Sequence, residues 1–154
     1  MTQDDTNKVR KSQTPPEPTV LSINICDNII RDESTKKVSL IGLFSVIKAS
    51  GFPCSHPLMQ IYIALTNGHG KYKTEIRFTR LEDNKPIAGM VGELQFQNPL
   101  QVLELNLCWQ QLPLEKAGEY AVEVLCNDKQ VGDRKFMVIG PQVQMPPTYG
   151  TEVR

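Results

Sequence analysis

Leu58-Met59-Gln60-Ile61-Tyr62-Ile63-Ala64-Leu65-Thr66 is the stretch whose pattern decides the fold. Met59, Ile61, Ile63 and Leu65 fall on one side of an extended chain, and Gln60, Tyr62, Ala64 and Thr66 on the other. Successive side chains of a strand point to opposite faces of a sheet, so this pattern predicts one face turned to a core. The next residues, Asn67-Gly68-His69-Gly70, tolerate positive φ and predict a tight hairpin. Beyond it Tyr72, Thr74, Ile76 and Phe78 oppose Lys71, Lys73, Glu75, Arg77 and Thr79 with the same period of two.

The same reading extends in both directions. Glu82-Asp83-Asn84-Lys85-Pro86 is a second hairpin turn, leading into a strand over residues 87–97 that Asn98-Pro99 ends. Leu103, Leu105, Leu107 and Trp109 oppose Glu104, Asn106 and Cys108, and Tyr120, Val122, Val124 and Cys126 oppose Ala121, Glu123 and Leu125. Asn127-Asp128-Lys129 turns the chain into a strand over residues 131–139. Toward the N-terminus, strands over residues 21–30 and 37–41 flank a polar turn at 32–36, while 43–48 fits either a strand or a short helix. No segment keeps a helical period for three turns. The expectation is an all-β domain, an antiparallel immunoglobulin-like β-sandwich of about eight strands spanning residues 20–140. Residues 1–19 and 141–154 are polar and rich in proline, and are expected as disordered tails.

One step is more specific than the rest. Leu112-Pro113-Leu114-Glu115-Lys116-Ala117-Gly118-Glu119-Tyr120 enters a strand through Gly-x-Tyr. It is similar to the tyrosine corner of immunoglobulin-like sandwiches, in which the hydroxyl bonds back to upstream backbone. An ordinary core tyrosine accounts for the same residues. Val122 stands where antibody domains carry their second cysteine, so no hallmark bridge is expected.

The 154 residues are 40% apolar and 22% charged, ordinary for a soluble globular domain. Lys plus Arg number 17 and Asp plus Glu number 17, which gives no basic excess to displace counterions from a phosphate backbone. Nucleic acid is therefore not the expected partner. Met1 to Pro18 has no apolar run and is not expected as a signal peptide or anchor, and no stretch approaches the ~20 apolar residues of a spanning helix, so the expected setting is the cytoplasm without membrane attachment. Cys26, Cys54, Cys108 and Cys126 then read as unlinked thiols rather than a disulfide framework.

Few residues offer chemistry. Cys54-Ser55-His56 sets a thiol and an imidazole two positions apart, which is half a metal site or a Cys–His pair; Pro53 and Pro57 around it predict a plain loop instead. His69 sits at a hairpin tip, and Gly68-His69-Gly70-Lys71 lacks the spacing and helix of a phosphate loop. Asp27, Asp32, Glu33, Asp83 and Asp128 suit turns rather than a calcium site. Pro146-Pro147-Thr148-Tyr149 matches a short Pro-Pro-x-Tyr ligand, a polyproline segment with an aromatic anchor. No cofactor is expected.

Several runs are read together. Cys26-Asp27-Asn28-Ile29-Ile30-Arg31-Asp32 is followed by Lys37-Val38-Ser39-Leu40-Ile41-Gly42-Leu43-Phe44, then Phe52-Pro53 and His56-Pro57. Gly118-Glu119-Tyr120, Val131-Gly132-Asp133-Arg134 and Phe136 with Val138 complete the set. Over residues 20–139 the chain resembles a family of small bacterial proteins known only as a domain of unknown function. The resemblance implies a fold and no activity. Gly42 would permit a bend, Phe52-Pro53 would pin a crossover loop, and Asp27 and Arg31 would pair locally or bond turn backbone. Alternatively, the segments 26–32 and 52–57 come together as a recognition surface.

The resulting expectation is a non-catalytic binding module with a protein partner. Candidate contacts are Phe52, Pro53 and His56, with Pro147 and Tyr149 on the tail. The alternatives are a metal- or small-ligand-binding sandwich using Cys54 and His56, and a structural subunit of a larger assembly. Oligomeric state stays open.

Overall fold

A computed structural model describes residues 14–141. Nine strands run through them: β1 (Thr19–Arg31), β2 (Val38–Leu43), β3 (Val46–Lys48), β4 (Cys54–Thr66), β5 (Gly70–Arg80), β6 (Lys85–Phe96), β7 (Leu103–Leu114), β8 (Gly118–Cys126) and β9 (Lys129–Ile139). They form two sheets, a four-stranded one in the order β2-β1-β4-β7 and a five-stranded one in the order β3-β9-β8-β5-β6. The fold is all-β. Where about eight antiparallel strands were expected there are nine, and β3 runs parallel to β9. The ambiguous segment 43–48 resolves into the end of β2, a crossover between sheets, and β3.

The core lies between the sheets, where the alternation placed it. Met59, Ile61, Ile63 and Leu65 are fully buried, each stabilising by about 1.5–3 kcal/mol relative to exposure. Tyr72, Thr74, Ile76 and Phe78 face them from β5, all at most 4% exposed. On β8 the expected solvent side, Ala121, Glu123 and Leu125, is buried as well, because β8 is the middle strand of five. Glu123 is compensated there by Arg77 Nε at 2.9 Å and the Thr79 hydroxyl at 2.8 Å. Tyr120 is buried and its hydroxyl donates to the Lys116 carbonyl at 2.7 Å, the backward bond expected of the Gly-x-Tyr step.

Two corrections concern the ends of elements. Residues 54–57 are not a loop: Cys54, Ser55 and His56 pair with Leu114, Pro113 and Leu112 of β7. Near Pro57 both strands change facing together. Met59 is buried but so are Leu112 and Leu114, which share a rung and a face with His56 and Cys54. Pro57 has no N–H to donate, and Gln111 on the same rung has φ 53°, so the reversal falls where the ladder is already weakened. Residues 14–19 do not belong to a disordered tail. The Tyr72 hydroxyl donates to the Pro16 carbonyl at 2.6 Å, Glu17 pairs with Lys129, and Thr19 opens β1.

The β1–β2 hairpin does not continue the plane of its sheet. Cys26 lies on the rung of Gln60 and Cys108. Straight continuation would carry Arg31 about 17 Å beyond that rung. Arg31 instead reaches back to Glu104 at 3.4 Å, on the rung of Ala64, and the Ile29 N–H donates to Gln60 Oε1 at 3.0 Å. The hairpin therefore folds over the outer face of the four-stranded sheet, which leaves Cys26 with no exposure although it points away from the core.

Candidate functional site

Where β1 leaves β4, its next residue faces the end of β2. Cys26 pairs with Leu43 and Asn28 with Ile41, so Asp27 lies opposite Gly42. Gly42 has φ +69°, and a Cβ built on it would stand 2.9 Å from Asp27 Cγ and closer still to the carboxylate. Only glycine leaves room for Asp27 there. The chain then crosses between sheets: the Phe44 N–H donates to the Ile25 carbonyl at 3.1 Å, and the Met137 N–H to the Ser45 carbonyl at 2.8 Å. This crossover turns the Phe44 ring toward His56, centroid to centroid 5.8 Å and inclined by 55°.

Together these residues line an open cleft of about 310 Å³. Its lining is Asp27 of β1, Gly42 and Leu43 of β2, Val46, Ile47 and Lys48 of β3, His56 of β4, and Phe44 from the crossover. His56 Nε2 is buried and has no hydrogen-bond partner among the described residues. Such a group costs about 1–3 kcal/mol, so stability alone does not explain it. Leu43, which also lines the cleft, is 61% exposed, and the same hairpin carries Ile41 at 49% and Ile30 at 47%.

The chain matches a family of unknown function (DUF6941) over residues 21–139. It belongs to that family. No curated protein matches the sequence. Similar solved structures include the Pseudomonas fluorescens alkylpurine DNA glycosylase AlkC bound to DNA containing an abasic site analog, 11% identical with a TM-score of 0.48. The alignment covers 80% of this chain and 30% of that one, and so distant a likeness bears on neither activity nor ligand.

Within the DUF6941 domain the expected site residues separate. His56 enters the cleft. Phe52 is half-buried and packs on the core, its ring 3.3 Å from where a Cβ on Gly140 would lie. Pro53, joined to it by a cis peptide, is exposed. Pro147 and Tyr149 lie outside the described residues. Cys54 is half-buried on the inner face of β4, and all four cysteines are free. Cys26 and Cys126 sit in different sheets, with Cys26 on the outer face. Among the described residues no group of three or more His, Cys, Asp or Glu is placed to hold a metal ion. Among the described residues no helix is long and apolar enough to cross a membrane.

Asp27 and Arg31 do not pair; Arg31 bonds the Lys36 carbonyl at 2.8 Å and Glu104. Asp32 behaves as a turn residue, its Oδ1 accepting from Ser34 and Thr35, and these bonds hold its pKa at about 2. Sequence reasoning brought segments 26–32 and 52–57 together as an alternative, but it missed Leu43 and Lys48. Nothing in an alternating pattern tells that a β2 end and a β3 start meet at one histidine.

Proposed function

We propose that this domain is a non-catalytic protein-recognition module on an immunoglobulin-like sandwich, and that it takes its partner at the Asp27–His56 cleft. The observation that carries the reading is the convergence of Asp27, Phe44 and His56 on one cleft, with exposed Leu43 in its lining. Leu43, Phe44 and Val46 give a partner side chain apolar contact in an otherwise polar cleft, and Asp27 and Lys48 offer one charge of each sign to orient it. The Tyr120–Lys116 bond and the parallel β3–β9 pair support the immunoglobulin-like assignment. Four unbridged thiols, two of them buried, suit a reducing compartment such as the cytoplasm.

Capture from native lysate tests the reading when variants are compared side by side. Leu43→Glu should lose the captured protein at least tenfold while melting within a few degrees of the parent. Leu100→Glu, at a position 91% exposed on the β6–β7 connection, should retain it. Equal capture by both variants would reject the cleft as the docking site.

A further inference from the structure

Residues 14–18 lie on the body of the domain as a peptide ligand would. They precede β1 and, among the described residues, pair with no strand. Pro15, Pro16 and Pro18 have no N–H, so the backbone of this segment offers mainly carbonyls. Tyr72 meets one of them. Its hydroxyl accepts from the His69 N–H at 3.0 Å, which leaves its own proton to donate to the Pro16 carbonyl at 2.6 Å. Tyr72 is 2% exposed, and its ring is held edge-on to Phe96, centroid to centroid 5.7 Å. One residue further, Glu17 pairs with Lys129, and Pro18 is buried.

Folded domains read proline-rich peptides by the same means, aromatic side chains along a polyproline backbone with a flanking charge to fix the register. The contacts here are also weak enough to exchange. Glu17 and Lys129 are 48% and 69% exposed, so solvent screening leaves their pair little stabilising value. Thr14, Pro15 and Pro16 are exposed, and an open cleft of about 260 Å³ is lined by segment 14–18 together with Tyr72, Cys126, Asn127 and Lys129. Strand β9 begins at Lys129 and meets β3 only from Met137 onward. This cleft and the Asp27–His56 cleft therefore lie at opposite ends of β9.

We propose that the Tyr72–Lys129 cleft is a binding site for proline-rich peptides that carry a carboxylate directly after Pro-Pro, and that residues 14–18 occupy it in cis. Tethered to β1, the segment competes at high effective concentration. A partner gains the site only in proportion to the time the segment is away. The segment is thus an intramolecular inhibitor of the site it fills. This holds whatever the Asp27–His56 cleft binds.

The probe is a synthetic peptide of residues 14–19, acetyl-Thr-Pro-Pro-Glu-Pro-Thr-amide, titrated into the full chain and followed by the amide NMR shifts of Tyr72, Cys126 and Lys129. Glu17→Lys sets two ammonium groups against each other and should free the cleft, so that the variant binds the peptide about threefold or more tightly than the parent does. Cys126, 4% exposed with the segment in place, should then alkylate faster, while exposed Cys108 keeps its rate. The same peptide with lysine in place of glutamate should bind the variant several-fold more weakly. An opened cleft, marked by a reactive Cys126, that takes no peptide or takes both alike overturns the proposal. Equal Cys126 reactivity in parent and variant overturns it as well, because the segment would then not be displaceable.

Discussion

Arg80 sets its guanidinium among three carboxylate oxygens. Asp83 holds it at 2.9 and 2.6 Å and Glu115 at 2.8 Å, while the Arg80 side chain is only 7% exposed. The cluster joins the β5–β6 turn to the β7–β8 turn, and it fixes titration behaviour. The hydrogen bond from Arg80 holds the Asp83 pKa at about 2 against an ordinary 3.8, and Glu115 is lowered by the same partner. A carboxylate depressed in the folded state contributes stability that is complete above its ordinary pKa and is lost as pH falls through the folded value. For Asp83 that window runs from 3.8 down to about 2. Carboxyl carbon NMR should place the Asp83 midpoint near the lower figure and, in Arg80→Gln, move it up toward 3.8. An unmoved midpoint would mean that Arg80 does not govern it. Nothing in the sequence announces this cluster, since Glu115 lies 35 positions from Arg80 and meets it only when the strands pair.

The β1–β2 hairpin shows where local reading ends. Alternation identified β4, β5 and β7 because a strand that buries one face writes a period of two into its own residues. It could not show that residues 27–43 fold over the outer face, since that depends on Arg31 meeting Glu104 across 73 positions. Nor could it show β4 and β7 changing face together near Pro57, a property of the pair. The hairpin is held by Arg31, by Gln60 on Ile29 and Asn28, and by Glu104, which also accepts the Tyr62 hydroxyl at 2.5 Å. Burial and then that bond push the Tyr62 pKa up to about 12. Glu104→Gln weakens both charge-assisted contacts, so amides of residues 28–31 and 38–41 should exchange with deuterium about tenfold faster or more. Those of β8 should not change. Uniform acceleration through both regions would mean global destabilisation and no separate hairpin.

At the scale of the molecule the two ends of the five-stranded sheet differ. One end gathers Asp27, Gly42, Phe44, Lys48 and His56 around a cleft; the other leaves β6 open. The fold class, most strand positions and the bond of Tyr120 were legible from residues that are neighbours in the chain. The cleft was legible only as two segments that could meet, because its walls come from β1, β2, β3 and β4 together. The central claim, recognition at the cleft, is tested most directly by placing a photoreactive phenylalanine analogue at position 43 and, separately, at position 100. Irradiation in native lysate should give one discrete adduct, heavier than the chain and distinct from its dimer, from position 43 alone. The same adduct from both positions, or from position 100 alone, would contradict recognition at the cleft.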